Sequence, residues 1–189
     1  MPPFANLLAL FAAPLLMLGG LAAMAPERVV LFPEDPAPGH TGGFGEPTCT
    51  ACHFDAPVND PAGSLDILDL PKRIGPNEPV EFFVTLRHPQ LVMAGFQLTI
   101  RDGEGRQAGT IEPVDERAAR TEGAGGVEYL HHSAQGNTPD SNEGARWRVR
   151  WTPDRAGHVV AHVAAIAANG DASEFGDFVF ADSLQIRVK

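Results

Sequence analysis

Short runs in which apolar and polar residues alternate, separated by turn sequences rich in Gly and Pro, fill the chain from Ser64 to Lys189. The run "ARWRVRW" is the clearest, because Trp147, Val149 and Trp151 share one face of an extended strand. About eight such runs follow one another, and no helix of ordinary length is evident among them. The pattern predicts an all-β fold, an antiparallel β-sandwich, with the two tryptophans in its core and arginines on the outer face.

The run "HVVAHVAAIAA" is rich in alanine, which favours helices, but its valines and the preceding turn "PDRAG" predict a strand. The chain contains 20 Gly and 17 Pro in 189 residues, which also favours turns and short strands. The net charge of −10 argues against nucleic acids and anionic membrane surfaces as partners, because both require basic patches.

The stretch from Phe4 to Ala25 carries no charged residue, so we expect either a signal peptide or a retained membrane-anchor helix. Either alternative places the rest of the chain outside the cytoplasm, on the periplasmic or extracellular side. The predicted organisation is a signal or anchor at 1–25, a Pro/Gly-rich segment at 26–63, and a β-sandwich at 64–189.

The only two cysteines lie in the sequence Cys49-Thr50-Ala51-Cys52-His53. The spacing C-x-x-C-H is typical of covalent attachment of a c-type haem, in which each sulfur bonds to one porphyrin edge. The adjacent histidine is then placed beneath the iron as an axial ligand. The motif therefore predicts one haem c, bound through Cys49 and Cys52, with His53 as a metal ligand.

Three other interpretations of the two cysteines stay open at this point. A Cys49–Cys52 disulfide would close a very short loop and add little stability. A redox-active pair would need a βαβ setting, which the pattern does not predict. A zinc site would need a distant fourth ligand and would take two adjacent residues awkwardly.

A second axial ligand is needed if both faces of the iron are closed. Spacing alone does not select it, although alternation along a strand predicts that His131 and His132 point to opposite faces. The candidates are His40, His88, Met93, His131, His132, His158 and His162.

The pieces "AGFQLTIRD", "YLHHS" and "WRVRWTPDRAGHVVAHVAAIAANGD" occur in this order. Together they resemble the Reeler domain, an extracellular sandwich of immunoglobulin-like form, and "GHTGGFGEPTCTACH" resembles the stretch that precedes such a domain in exported bacterial proteins. The resemblance implies that the recurring histidine falls on His132, which becomes the preferred distal ligand, followed by His162, His131 and Met93.

The sequence thus predicts a single-haem c-type cytochrome that carries electrons and is not an enzyme. With two histidine ligands no position is left for a substrate, and we expect a low reduction potential. The expected partner is a redox protein or a membrane electron-transfer complex, with residues 4–25 as a possible attachment. The alternatives are a non-catalytic Reeler-type surface or adhesion module with a disulfide in place of haem, and a haem protein that binds a small ligand.

Overall fold

The computed structural model describes residues 35–141 and 144–189, which belong to one compact unit. The predicted signal or anchor segment, residues 1–25, lies outside the described residues. No helix in the described part of the chain is long and apolar enough to cross a membrane.

Ten β-strands occur in the described residues, together with two short 3₁₀ helices at Cys49–Ala51 and Ala124–Gly126. The strands are β1 (Ser64–Leu68), β2 (Arg73–Ile74), β3 (Val80–Arg87), β4 (Met93–Asp102), β5 (Thr110–Pro113), β6 (Ala118–Glu122), β7 (Glu128–His132), β8 (Gly144–Thr152), β9 (Gly157–Ala168) and β10 (Phe178–Val188).

The strands form two sheets. One has four strands in the order β1-β3-β8-β5, and the other has six in the order β2-β10-β9-β4-β7-β6. Neighbouring strands are antiparallel, except that β2 runs parallel to β10 at the edge of the larger sheet. The predicted all-β sandwich is confirmed.

The core between the sheets is built around Trp147 and Trp151, both fully buried on β8. Trp147 stacks on Phe96 with ring centroids 4.5 Å apart, which joins the two sheets. The indole N–H of Trp147 donates to the carbonyl of Gly136 at 2.9 Å, and that of Trp151 to the carbonyl of Ala108 at 2.7 Å. Both indole N–H groups thus have partners, as burial of an indole requires.

Two strands were missed by the sequence pattern. β2 lies in the stretch "PKRIGPNEP", whose prolines and glycine indicate a turn, and it forms only a two-residue parallel pair with β10. The polar stretch "DERAARTEGAGG" contains β6, an edge strand with mostly polar side chains. The run "HVVAHVAAIAA" is β9, so the predicted strand is confirmed.

The larger sheet departs from the usual alternation of buried and exposed residues. In β8 the arginines that alternate with the core tryptophans are exposed, as predicted. In β4 almost every residue is buried, which means that both faces of this strand are covered. The outer face is covered by the segment from Asp35 to His53, whose contacts define the candidate site.

Candidate functional site

A buried polar cluster fastens the cysteine-bearing segment to the outer face of the six-stranded sheet. Glu46, from the segment, accepts hydrogen bonds from Arg101 on β4, Tyr129 on β7 and Thr41 of the segment itself. The Arg101 guanidinium also lies over the rings of Tyr129 and Phe44, at 5.2 and 5.3 Å from their centroids. Charge-assisted hydrogen bonds of this kind are stronger than neutral ones, so the segment is held firmly.

Ionisation in this cluster follows from its contacts. Burial alone would raise the pKa of Glu46, but hydrogen bonds from Tyr129, Arg101 and Thr41 outweigh it, and the pKa lies below its ordinary value. Burial and the hydrogen bond to Glu46 raise the pKa of Tyr129 to about 12. The cluster is therefore an ionised carboxylate between a guanidinium and a neutral phenol at neutral pH.

A second set of contacts continues along the same face. The backbone N–H of His40 donates to Oε1 of Gln97 on β4, and the Gln97 amide donates to the carbonyl of Ala37. Phe44 packs edge-on against the ring of His162, with centroids 5.4 Å apart. The segment thus runs across the outer face of the middle of β4 and β9 before it reaches the cysteines.

The cysteines lie in a single 3₁₀ turn, Cys49–Ala51, which the side chain of Thr48 caps by accepting from the backbone N–H of Thr50. The backbone N–H groups of Cys52 and His53 both donate to the carbonyl of Cys49, so the three predicted ligating residues are wound into one turn. The two thiols are free. Cys52 is exposed, whereas burial raises the pKa of the Cys49 thiol to about 12.

This difference predicts unequal thiol reactivity in haem-free protein. Only the thiolate reacts, and a thiol with a pKa of about 12 is ionised to roughly one part in 10⁴ at pH 8. We expect iodoacetamide to label Cys52 in the Cys49→Ser variant at least about 100-fold faster than it labels Cys49 in the Cys52→Ser variant. Equal rates, followed by intact mass over time, would contradict the burial of the Cys49 thiol.

His53 is held by a buried carboxylate. Its Nδ1 donates to Oδ2 of Asp177 at 2.7 Å, and the Asp177 side chain is only 1% exposed. The Nε2 atom makes no hydrogen bond to any described residue, so the imidazole keeps one nitrogen available. This is the arrangement in which metal-binding histidines are commonly held.

Exposed apolar side chains lie directly after this turn and along the β9–β10 loop. Phe54, directly after His53, packs edge-on against Phe175 with centroids 5.4 Å apart, and both rings are more than half exposed. Val92 and Met93 are also exposed, and they flank Gly170 at the other side of the β9–β10 loop. Clustered exposed apolar side chains of this size indicate a contact with something else.

His132 lies beside β4, at a position that Gly95 leaves open. A Cβ atom at Gly95 would stand 2.8 Å from Cε1 of His132 and 3.1 Å from Cγ2 of Ile166. The Nδ1 of His132 is 3.2 Å from the backbone N and 3.3 Å from the carbonyl O of Phe96. With the proton on Nε2, Nδ1 accepts from the Phe96 N–H; with the proton on Nδ1, the ring donates to the Phe96 carbonyl and Nε2 carries the lone pair. Burial lowers the pKa of His132, which favours the neutral imidazole over the charged one.

Strand alternation predicts that His131 and His132 point to opposite faces of the sheet. In the structure, however, their rings lie on the same side. Their centroids are 6.4 Å apart with planes at 86°. His131 pairs with Gln97, so it lies on the covered outer face, and the His132 ring reaches the same side because it turns along β4 over Gly95. The strand alternation is broken where β7 ends at His132.

The two predicted iron ligands, His53 and His132, contact residues on or directly next to strands two positions apart in the larger sheet. Asp177, which holds His53, directly precedes β10, and Gly95, against which His132 rests, lies on β4, with β9 between them. Two strand spacings amount to about 10 Å. Ile166 and Ala168 of β9, both partly exposed, lie in this interval.

The other candidate ligands have different surroundings. His162 lies under Gly43 and Phe44, and burial followed by the charge of Arg101 lowers its pKa. His88 is buried against Phe178. The remaining candidates are His131, buried within 3.9 Å of Asp35; His40, bonded to the carbonyl of Ala37; His158, next to Arg187; and Met93, exposed at the start of β4.

The residues around the turn fit a covalently attached haem. They supply two free thiols, an imidazole whose Nδ1 is engaged and whose Nε2 is open, the neutral imidazole of His132, and exposed apolar side chains. Among the described residues no group of three or more His, Cys, Asp or Glu side chains could by itself hold a metal ion.

Two residues of this site were missed by the sequence analysis. Asp177 and Gly95 both belong to short stretches that resemble ordinary turns or strands. Asp177 contacts His53, 124 positions earlier, and Gly95 contacts His132, 37 positions later. The available signals were the polar residue directly before the run "FVFADSLQIRV" and the glycine inside the strand run "LVMAGFQLTIRD", since a strand glycine often marks a close approach.

No protein-family model matches the chain, and no curated protein matches it. Among solved structures, the chain is similar to the Reelin-N domain of F-spondin, with 18% identity over 75% of this chain and 95% of that one, and a TM-score of 0.48. It is similar to the human F-spondin reeler domain, with 19% identity over 68% and 89% and a TM-score of 0.43. A cohesin module from a Clostridium perfringens family 33 glycoside hydrolase gives 12% identity over 67% and 95%, with a TM-score of 0.47.

All three TM-scores are below 0.5 and all three identities are below 20%, so these likenesses assign neither a family nor a function. Sandwiches of similar form have many unrelated functions. The chain is a β-sandwich, a fold that does not define a function. Its chemically distinctive residues lie in the cysteine-bearing turn.

Proposed function

We propose that this protein is a single-haem c-type cytochrome, an electron carrier outside the cytoplasm. The observation that carries the proposal is the His53 imidazole, which is bound to Asp177 through Nδ1 and leaves Nε2 open within a C-x-x-C-H turn. A structural or redox-active cysteine pair does not require an adjacent histidine in this state.

In this proposal Cys49 and Cys52 would hold the porphyrin covalently, and His53 and His132 would hold its iron. The haem supplies one-electron redox chemistry at its iron. The chain orients His53 through Asp177, positions His132 over Gly95, and limits access of water with Phe54, Phe175, Val92 and Met93. An iron held by two histidines would favour electron transfer over substrate binding.

We further propose that the chain is exported and meets a redox protein or a membrane electron-transfer complex, with residues 4–25 as signal or anchor. The acidic surface, with a net charge of −10, supports a partner with a basic docking face. Such charge complementarity mainly accelerates the encounter of the two proteins. The rate of electron transfer to the partner should therefore fall as the salt concentration increases.

The test is intact mass and in-gel haem staining of protein matured in a host that assembles c-type cytochromes. We expect the wild-type chain to carry the added mass of one haem, which survives denaturation because both bonds are covalent. The matched Cys49→Ser/Cys52→Ser double variant should show only the polypeptide mass.

Wild-type protein that is secreted and folded but has no added mass would overturn the proposal. The alternative of a haem-free surface or adhesion module would then stand, and a mass lower by two hydrogen atoms than that of the reduced chain would identify its Cys49–Cys52 disulfide.

A further inference from the structure

We propose that Asp177 is a positioning residue for the proximal ligand His53, and that its carboxylate stabilises the ferric state of the bound haem. This inference rests on the proposed function. Asp177 does not touch the haem in this proposal and acts only through the imidazole.

The Asp177 carboxylate is fixed by two different bonds. Its Oδ2 accepts from Nδ1 of His53 at 2.7 Å, and its Oδ1 accepts from the backbone N–H of Asn169 at 3.0 Å. Asn169 directly follows β9 and Asp177 directly precedes β10, so the carboxylate ties together the two ends of the connecting loop. With both oxygens occupied, the carboxylate has little freedom to turn away from His53.

The β9–β10 loop also binds the cysteine-bearing segment through a second hydrogen bond. The backbone N–H of Gly176 donates to Oδ2 of Asp55 at 2.7 Å, two residues beyond His53. The Asn169 amide donates to the carbonyl of Phe175 at 3.0 Å, which keeps the loop closed. Consecutive loop residues therefore bind His53 and Asp55, and the position of the imidazole is determined by a folded loop rather than by the turn alone.

The chemical consequence concerns the state of the imidazole. A carboxylate acceptor at Nδ1 keeps the proton on that nitrogen, so the lone pair is on Nε2, and it increases the electron donation of Nε2 to a metal. A buried negative charge close to the ligand also favours the more positive oxidation state of iron. Both effects lower the reduction potential.

The experiment compares the midpoint potentials of the haem-loaded wild type and the Asp177→Asn variant. We expect the ratio of ferrous to ferric haem at a given potential to rise about tenfold in the variant, which is a shift of about +59 mV for a one-electron couple. The variant Asp177→Glu keeps the charge and should lie closer to the wild type. If Asp177→Asn does not fold, the midpoint potential of Asp177→Glu is compared with that of the wild type instead.

Asp171→Asn is the matched control, because it removes one carboxylate from the same loop without a contact to His53. We expect its potential to stay at the wild-type value. The proposal is overturned if haem-loaded Asp177→Asn keeps the wild-type potential, or if Asp171→Asn shifts equally.

A second readout needs no haem. In the Cys49→Ser/Cys52→Ser chain, nitrogen NMR of His53 should show the proton on Nδ1, and Asp177→Asn should give a mixture of tautomers. The same tautomer population in both chains would refute the positioning role. Because this result does not depend on haem, it separates a failure of the Asp177 inference from a failure of the cytochrome proposal.

Discussion

Replacement of Arg101 by methionine is expected to destabilise the folded protein by about 3–5 kcal/mol, the cost of breaking a buried ion pair by removing one partner. The Arg101 side chain is 7% exposed and Glu46 is 15% exposed, so water cannot replace the lost guanidinium. Arg101 also donates to Tyr129 and packs against Phe44. Methionine removes the positive charge of the guanidinium but keeps most of the length of the arginine side chain.

The loss should be concentrated in the cysteine-bearing segment, because Arg101 binds it to β4. Hydrogen exchange of the amides from Gly42 to His53 is therefore expected to accelerate by at least about 100-fold, since each 1.36 kcal/mol is a factor of ten. Denaturant unfolding gives the global value. Arg155→Met is the control, because the Arg155 side chain is 46% exposed, so that water can replace its contacts with Asp102 and Asp154, and the change should cost less than about 1 kcal/mol.

Glu46 provides a further check on the same cluster. Its pKa is lower in the folded state, so its contribution is present above its ordinary pKa of 4.5 and is lost as the pH falls through the folded value. This acid dependence should flatten in Arg101→Met. The double variant Arg101→Met/Glu46→Gln should recover part of the loss, because no buried carboxylate remains. Additive single effects would contradict a direct pair.

Replacement of Gly95 by alanine is expected to displace the imidazole of His132. The new Cβ would lie 2.8 Å from Cε1 of His132 and 3.1 Å from Ile166, closer than packed atoms tolerate. Overpacking of this kind costs about 1–3 kcal/mol. If His132 is the distal ligand, the haem-loaded variant should lose it and gain rapid carbon monoxide binding in the ferrous state, as should His132→Ala.

Optical spectra of the ferrous protein with and without carbon monoxide measure this change. Gly103→Ala is the control, since nothing lies within 4 Å of a Cβ at that exposed turn. Rapid carbon monoxide binding by the wild type would favour the alternative of a haem protein with an open position. An unchanged low-spin spectrum in both Gly95→Ala and His132→Ala would refute His132 and turn attention to His162 or Met93.

The strands could be predicted because their signal is local. Alternation in "ARWRVRW" places Trp147 and Trp151 in the core whatever the partner strand is, and the structure confirms it. The edge strand β6 has the sequence "AARTE", in which too few apolar residues alternate for a signal. The strand β2 is a two-residue pairing that depends on β10, more than 100 residues later in the chain.

The docking of the segment could not be predicted, because it has no periodicity and its partners are distant. Glu46 meets Arg101 and Tyr129 across 55 and 83 positions. One indication was present in the run "QLTIR", where Gln97, Thr99 and Arg101 form a polar row on a strand whose other face is apolar. Such a row usually faces water, and only the structure shows that it is covered.

The order of these elements along the chain has a consequence for biosynthesis. The site that receives His53 depends on Asp177, which is translated 124 residues later. At about 5–20 residues per second, that interval is roughly 6–25 s. During this time the cysteine turn is synthesised but has no completed surface to pack against. Any enzyme that modifies Cys49 therefore has its best opportunity before β10 has paired with β9, and slow assembly of a non-local sandwich lengthens that interval.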